Sequence, residues 1–165
     1  MSDVENRKEL EGYLKDHYAG AVGALEMIED LSKSHEGKEL GSFFTGLQAD
    51  VKADHEQLHN LISALGFEES SVRNAGAWVA EKFGRVKLGF SGDEAVGVRL
   101  LQALETLVMG ITGKQLLWRA LDAAREASPV LQQTDFAHLE KRAKEQLDRV
   151  EAKRLKVAGA TFRAV

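Results

Sequence analysis

A single proline, Pro129, interrupts the 165 residues of this chain, and on either side of it apolar residues return at three- and four-residue spacings. Proline removes a backbone donor and clashes with the preceding helical turn, so a chain almost without it can sustain long helices. The spacing is that of amphipathic helices rather than the alternation of half-buried strands. The expected fold class is therefore all-α. The length suits one compact domain over residues 1–165, with roughly 70% of the unfolded surface buried on folding. There is no cysteine, which excludes disulfide staples, thiolate nucleophiles, iron–sulfur clusters and Cys-ligated zinc. Oxygen and nitrogen ligands remain.

Four long helices are expected. The first covers residues 4–32, with Leu10, Leu14, His17, Ala21, Leu25, Ile28 and Leu31 on one stripe. Gly12, Gly20 and Gly23 lie inside it, each costing about 1 kcal/mol relative to alanine, so tertiary packing dominates there or another backbone passes close by. The second covers residues 39–65, lined by Phe44, Leu47, Val51, Asp54, Leu58, Leu61 and Leu65, and Gly66 ends it. A third follows a Ser91-to-Glu94 capping box and runs to residue 127, with Leu100, Leu104, Leu107, Ile111, Lys114, Trp118 and Leu121 on its line. Beyond Pro129, Thr134 is placed to cap a fourth helix reaching residue 157, faced by Phe136, Leu139, Ala143, Leu147, Val150 and Val157, with Gly159 as its stop.

Residues 67–92 between the second and third helices are too many for a simple hairpin turn. Val72, Ala75, Val79 and Phe83 stand at helical spacing there, so a helix over 71–84 is expected. A link of this length can traverse a bundle and set helices two and three parallel, giving antiparallel pairs one–two and three–four. An up-down-up-down bundle with a decorated loop is the alternative.

Polar residues on the inner stripes are few. With the first turn centred on Glu36, His17 stands level with His55 and Glu56, and Tyr13 with His59. With the second centred near Leu131, Lys114 stands level with Asp148. A buried ammonium needs a partner, so Lys114 either pairs with Asp54, Glu56 or Asp148 or keeps its charge in water over a buried stem. His17, His55 and His59 read either as hydrogen-bonded structural side chains, or as a cluster that with Asp54 binds zinc or titrates near neutrality. His35 and His138 read as exposed.

Glu56-Gln57-Leu58-His59 is a Glu-x-x-His unit late in the second helix. Together with the two long pairs and the crossover it resembles the ferritin-like superfamily, whose di-iron members place a glutamate from each of two helices and a Glu-x-x-His from each of the other two around a metal pair. The resemblance implies a ferritin-like four-helix bundle with a long helical crossover, metal candidates Glu56 and His59, and Glu26, Glu105 and Asp148 as further ligands for iron or manganese. The match is incomplete. Asp135-Phe136-Ala137-His138 falls in a first turn, and Glu145-Gln146-Leu147-Asp148 carries aspartate where the pattern has histidine.

The expected function is accordingly that of a ferritin-like structural or interaction protein without catalytic residues, for which the resemblance implies a stress context. The alternative is an iron- or manganese-binding oxidoreductase. A symmetric homo-oligomer is expected, with room for a further protein partner. The formal net charge of −4 gives no broad field for nucleic acid, and the interleaved charges of the last helix read as a solvated face. No run of about 20 apolar residues would span a membrane, and the acidic start lacks the pattern of a secretory signal, so a cytoplasmic location is expected. Gly110-Ile111-Thr112-Gly113-Lys114 lacks the spacing and preceding strand of a phosphate loop.

Overall fold

The computed structural model describes residues 2–67 and 96–163. All regular structure among them is helical: α1 (Asp3–Ser34), α2 (Glu39–Ala64), α3 (Val96–Ala123), a 3₁₀ turn (Arg125–Ala127), α4 (Pro129–Gln133) and α5 (Phe136–Thr161). The expected helix over 71–84 and the Ser91 cap lie outside the described residues. These residues fall into two compact units, one of residues 2–67 with 126–134 and one of residues 96–125 with 135–163.

In the first unit α1 and α2 form an antiparallel hairpin. Ser2 starts α1 through a reciprocal capping box: its hydroxyl accepts from Glu5 N at 3.3 Å and its own N–H donates to the Glu5 carboxylate at 2.7 Å. The connecting turn uses Gly37 at φ 75°. At the turn end of the hairpin the Ser32 and Thr45 hydroxyls meet at 2.9 Å. At the other end the Arg7 guanidinium donates to the carbonyls of Leu65 and Gly66, at 2.8 and 3.2 Å, and lies 4.7 Å over the Phe67 ring. Those carbonyls belong to the helix end that has no intrahelical donors, where Gly66 turns the chain at φ 71°. Leu14, Ala19, Ile28 and Leu31 of α1 and Phe44, Leu47, Val51, Leu58, Leu61 and Ile62 of α2 are buried. Each large side chain among them contributes on the order of 1.5–3 kcal/mol.

Gly12 and Gly20 of α1 are not points of close approach: a methyl group at either would meet nothing within 4 Å. The tight position is Gly41, where it would stand 2.2 Å from the His35 carbonyl oxygen. His35 itself is half-buried rather than exposed, its Nδ1 2.8 Å from the Leu31 carbonyl oxygen and its ring 6.0 Å from that of Phe44.

In the second unit α3 and α5 are antiparallel. Gly97 lies against the Thr161 side chain, Glu105 pairs with Arg154 at 3.6 Å, and Arg119 reaches Glu140 at 3.7 Å. Leu100, Leu104, Leu107, Ile111, Trp118 and Leu121 of α3 are buried, as are Phe136, Leu139, Ala143 and Val150 of α5. The Trp118 and Phe136 rings stand 6.4 Å apart.

Three expected boundaries change. Helix three stops at Ala123 rather than 127, because Ser128 opens a new short helix by accepting from Leu131 N at 3.2 Å, with Pro129 in its first turn. Asp135, not Thr134, caps α5, accepting from His138 N at 3.0 Å, while the Thr134 hydroxyl donates to the Val130 carbonyl. Gly159 does not end α5, which continues to Thr161. No described helix is long and apolar enough to cross a membrane.

Candidate functional site

The polar side chains that enter the hairpin of the first unit gather beside its apolar stripe. Val51, Asp54, Leu58 and Leu61 form the buried line of α2. His55, His59 and Ile62 run along its shoulder at helical spacing, so both imidazoles are half-buried on one face. Tyr18 of α1 covers them: its ring centroid is 4.2 Å from that of His55, tilted by 33°, and 6.1 Å from that of His59. His17, one residue before Tyr18, meets Tyr13 edge-on at 4.7 Å. The sequence register is therefore right to about one residue, but the residue of α1 that covers the two imidazoles is Tyr18, not His17.

Burial governs the electrostatics of this cluster. It lowers the proton affinity of His17, with Asp16 acting weakly in the opposite sense. It lowers that of His55 as well, helped by the like charge His59 would carry and opposed by Glu56. It raises the Tyr18 phenol. Two nitrogens, His55 Nε2 and His59 Nδ1, are buried without a hydrogen-bond partner among the described residues.

In the second unit the polar element of the interior is an amide. Gln146 is buried, 1% exposed, and its Oε1 accepts from the Lys114 ammonium. Gln146 thus occupies the level at which the sequence register places Asp148. Asp148 itself is exposed and accepts from Lys144 at 2.8 Å.

The expected metal ligands divide between the units. Glu26, Glu56 and His59 belong to the first, where both glutamates are exposed and His59 is half-buried. Glu26 is set two residues before the buried Ile28, on the outward side of α1. Glu105 and Asp148 belong to the second, both exposed, and both line a surface groove of about 470 Å³ with Val108, Met109, Leu147, Glu151 and Arg154. The cation of this groove, Arg154, is held by Glu151 at 2.6 and 2.7 Å as well as by Glu105. Among the described residues no three His, Asp or Glu side chains are grouped so as to hold a metal ion.

Two participants escape sequence reasoning. Tyr18 does so because a one-residue change in register substitutes it for His17. Gln146 does so because a neutral amide inside a Glu-x-x-Asp unit draws less notice than the carboxylates flanking it; its place three residues after Ala143 and four before Val150 is the signal that puts it on the inner face. Comparison of the chain with protein-family models, with curated proteins and with solved structures gives no match.

Proposed function

We propose that this chain is a ferritin-like structural or interaction protein without a catalytic centre. The observation that carries the reading is the Lys114–Gln146 hydrogen bond. It stations an ammonium group on the inner line of α3, between Ile111 and Trp118, and spends the buried acceptor of α5 on that ammonium. A fixed positive charge repels a metal cation and fulfils locally the charge role that a cation would have. The buried Ile111, Trp118, Ala143 and Val150 of the same unit support a packed apolar interior around it.

The second reading, an iron- or manganese-dependent oxidoreductase, draws on the unpartnered Nδ1 of His59 beside Glu56. Its ligand set would be Glu56 and His59 with Glu26, Glu105 and Asp148. Protein purified without chelator and then titrated anaerobically with iron(II) or manganese(II) separates the two. The structural reading expects well under one tightly bound iron or manganese per chain. Two per chain, lost together in Glu56→Ala and His59→Ala, would overturn it.

A further inference from the structure

Four residues apart on α2, His55 and His59 each bury one nitrogen that has no hydrogen-bond partner among the described residues. Leaving such an atom dry and unpaired costs about 1–3 kcal/mol, and here two of them sit on neighbouring turns of the same helix face. The third atom of this kind, the Trp118 indole nitrogen, belongs to the second unit and is a donor only. Imidazole nitrogens differ, because in the neutral ring either one can present a lone pair. Two imidazoles at i and i+4 on a helix are the spacing with which helices chelate a divalent ion, since one turn brings both rings to the same side.

We propose that His55 and His59 form a two-imidazole site for one late first-row divalent cation of the zinc class, with the remaining coordination positions left to water. The donor set selects the cation. Neutral imidazole suits zinc, copper and nickel, whereas manganese and magnesium require several oxygen ligands, and among the described residues no three His, Asp or Glu side chains are grouped so as to hold a metal ion. Tyr18 gives the site its rigidity. Its ring lies across His55 and within 6.1 Å of the His59 centroid, so both imidazole planes are held by packing before any ion arrives. The exposed carboxylate of Glu56, next in sequence to His55, adds a favourable charge beside the two rings. The site shares His59 with the iron or manganese set considered above, but adds His55, which that set omits, and takes none of its carboxylates as ligands.

A zinc(II) titration of the whole chain, followed by two-bond proton–nitrogen spectra of the imidazoles, tests the proposal without any substitution. The expected result is saturation at one zinc per chain, with Nε2 of His55 and Nδ1 of His59 shifting together while His35 and His138 stay in place. His55→Gln and His59→Gln should each weaken zinc binding by at least about tenfold, and His138→Gln should leave it unchanged. An internal water bridging the two nitrogens would satisfy them equally well, and zinc would then leave both resonances unmoved. That outcome, or shifts confined to the other histidines, would overturn the proposal. Because His59 belongs to both sets, His55→Gln separates them: it should weaken zinc binding and leave any iron or manganese binding unchanged.

Discussion

The Tyr18 ring stacks on the His55 ring across the α1–α2 hairpin, 4.2 Å between centroids and 33° from parallel. Contact of this kind favours a neutral imidazole, since the surroundings that remove water from the ring also disfavour its charge. His17, one residue before Tyr18, is under the same pressure.

Stability should therefore depend on pH through these two histidines. Both have folded-state proton affinities below the unfolded value of about 6.5, so the unfolded chain takes up protons first. The stabilisation is complete above that value and is lost as pH falls through the lower folded values. Thermal melts from pH 8 to pH 5 should show a midpoint falling by a few degrees, on the order expected from a modest linkage term at this size. His17→Gln with His55→Gln should flatten that slope whatever it does to the midpoint itself, and an unchanged slope would refute the assignment.

Gly41 should tolerate no side chain. A methyl group there meets the His35 carbonyl oxygen at 2.2 Å, and backbone cannot swing aside as a side chain can. Gly41→Ala should cost about 1–3 kcal/mol or more by overpacking, read as a loss in urea midpoint at constant slope. Gly12→Ala is the matched control. That site is open and helical, so replacement should stabilise by up to about 1 kcal/mol.

Gln146→Leu removes the acceptor of a charged hydrogen bond inside the second unit. A loss of about 1.5–3 kcal/mol is expected. Combining it with Lys114→Met should return part of that loss, because an apolar pair of similar volume leaves no charge to desolvate. A double-mutant cycle by chemical denaturation measures the coupling. Additive losses would show that the two side chains act independently.

Ser2→Ala should fray the start of α1. The substitution deletes the hydroxyl that accepts from Glu5 N, at an expected cost of about 0.5–2 kcal/mol. Hydrogen exchange of the first-turn amides should accelerate, while amides near Leu31 should be unaffected.

Most of the helical pattern could be read before any coordinates. The stripe from Leu10 to Leu31, the stop at Gly66 and the line from Leu100 to Leu121 follow from a 3.6-residue period and the freedom of glycine to take positive φ. What could not be read depends on offsets smaller than a helical turn. Tyr18 and His17 are neighbours in sequence, and about 100° of helix rotation decides which ring lies over His55. Gln146 and Asp148 differ in level by two residues, which is enough to send one side chain inward to Lys114 and the other outward to Lys144. The end of α3 escapes the sequence for another reason: Ser128 with Pro129 starts a helix as well as it closes one, and only the hydrogen bond from Leu131 N distinguishes the two.

Arg7 reaches across the first unit to hold the last carbonyls of α2 and the face of Phe67. The chain thus departs toward residue 68 from an anchored origin rather than from a fraying tip. Trimming the amino terminus past Arg7 would therefore loosen the close of α2, nearly sixty positions downstream, through the loss of residues that a routine truncation discards.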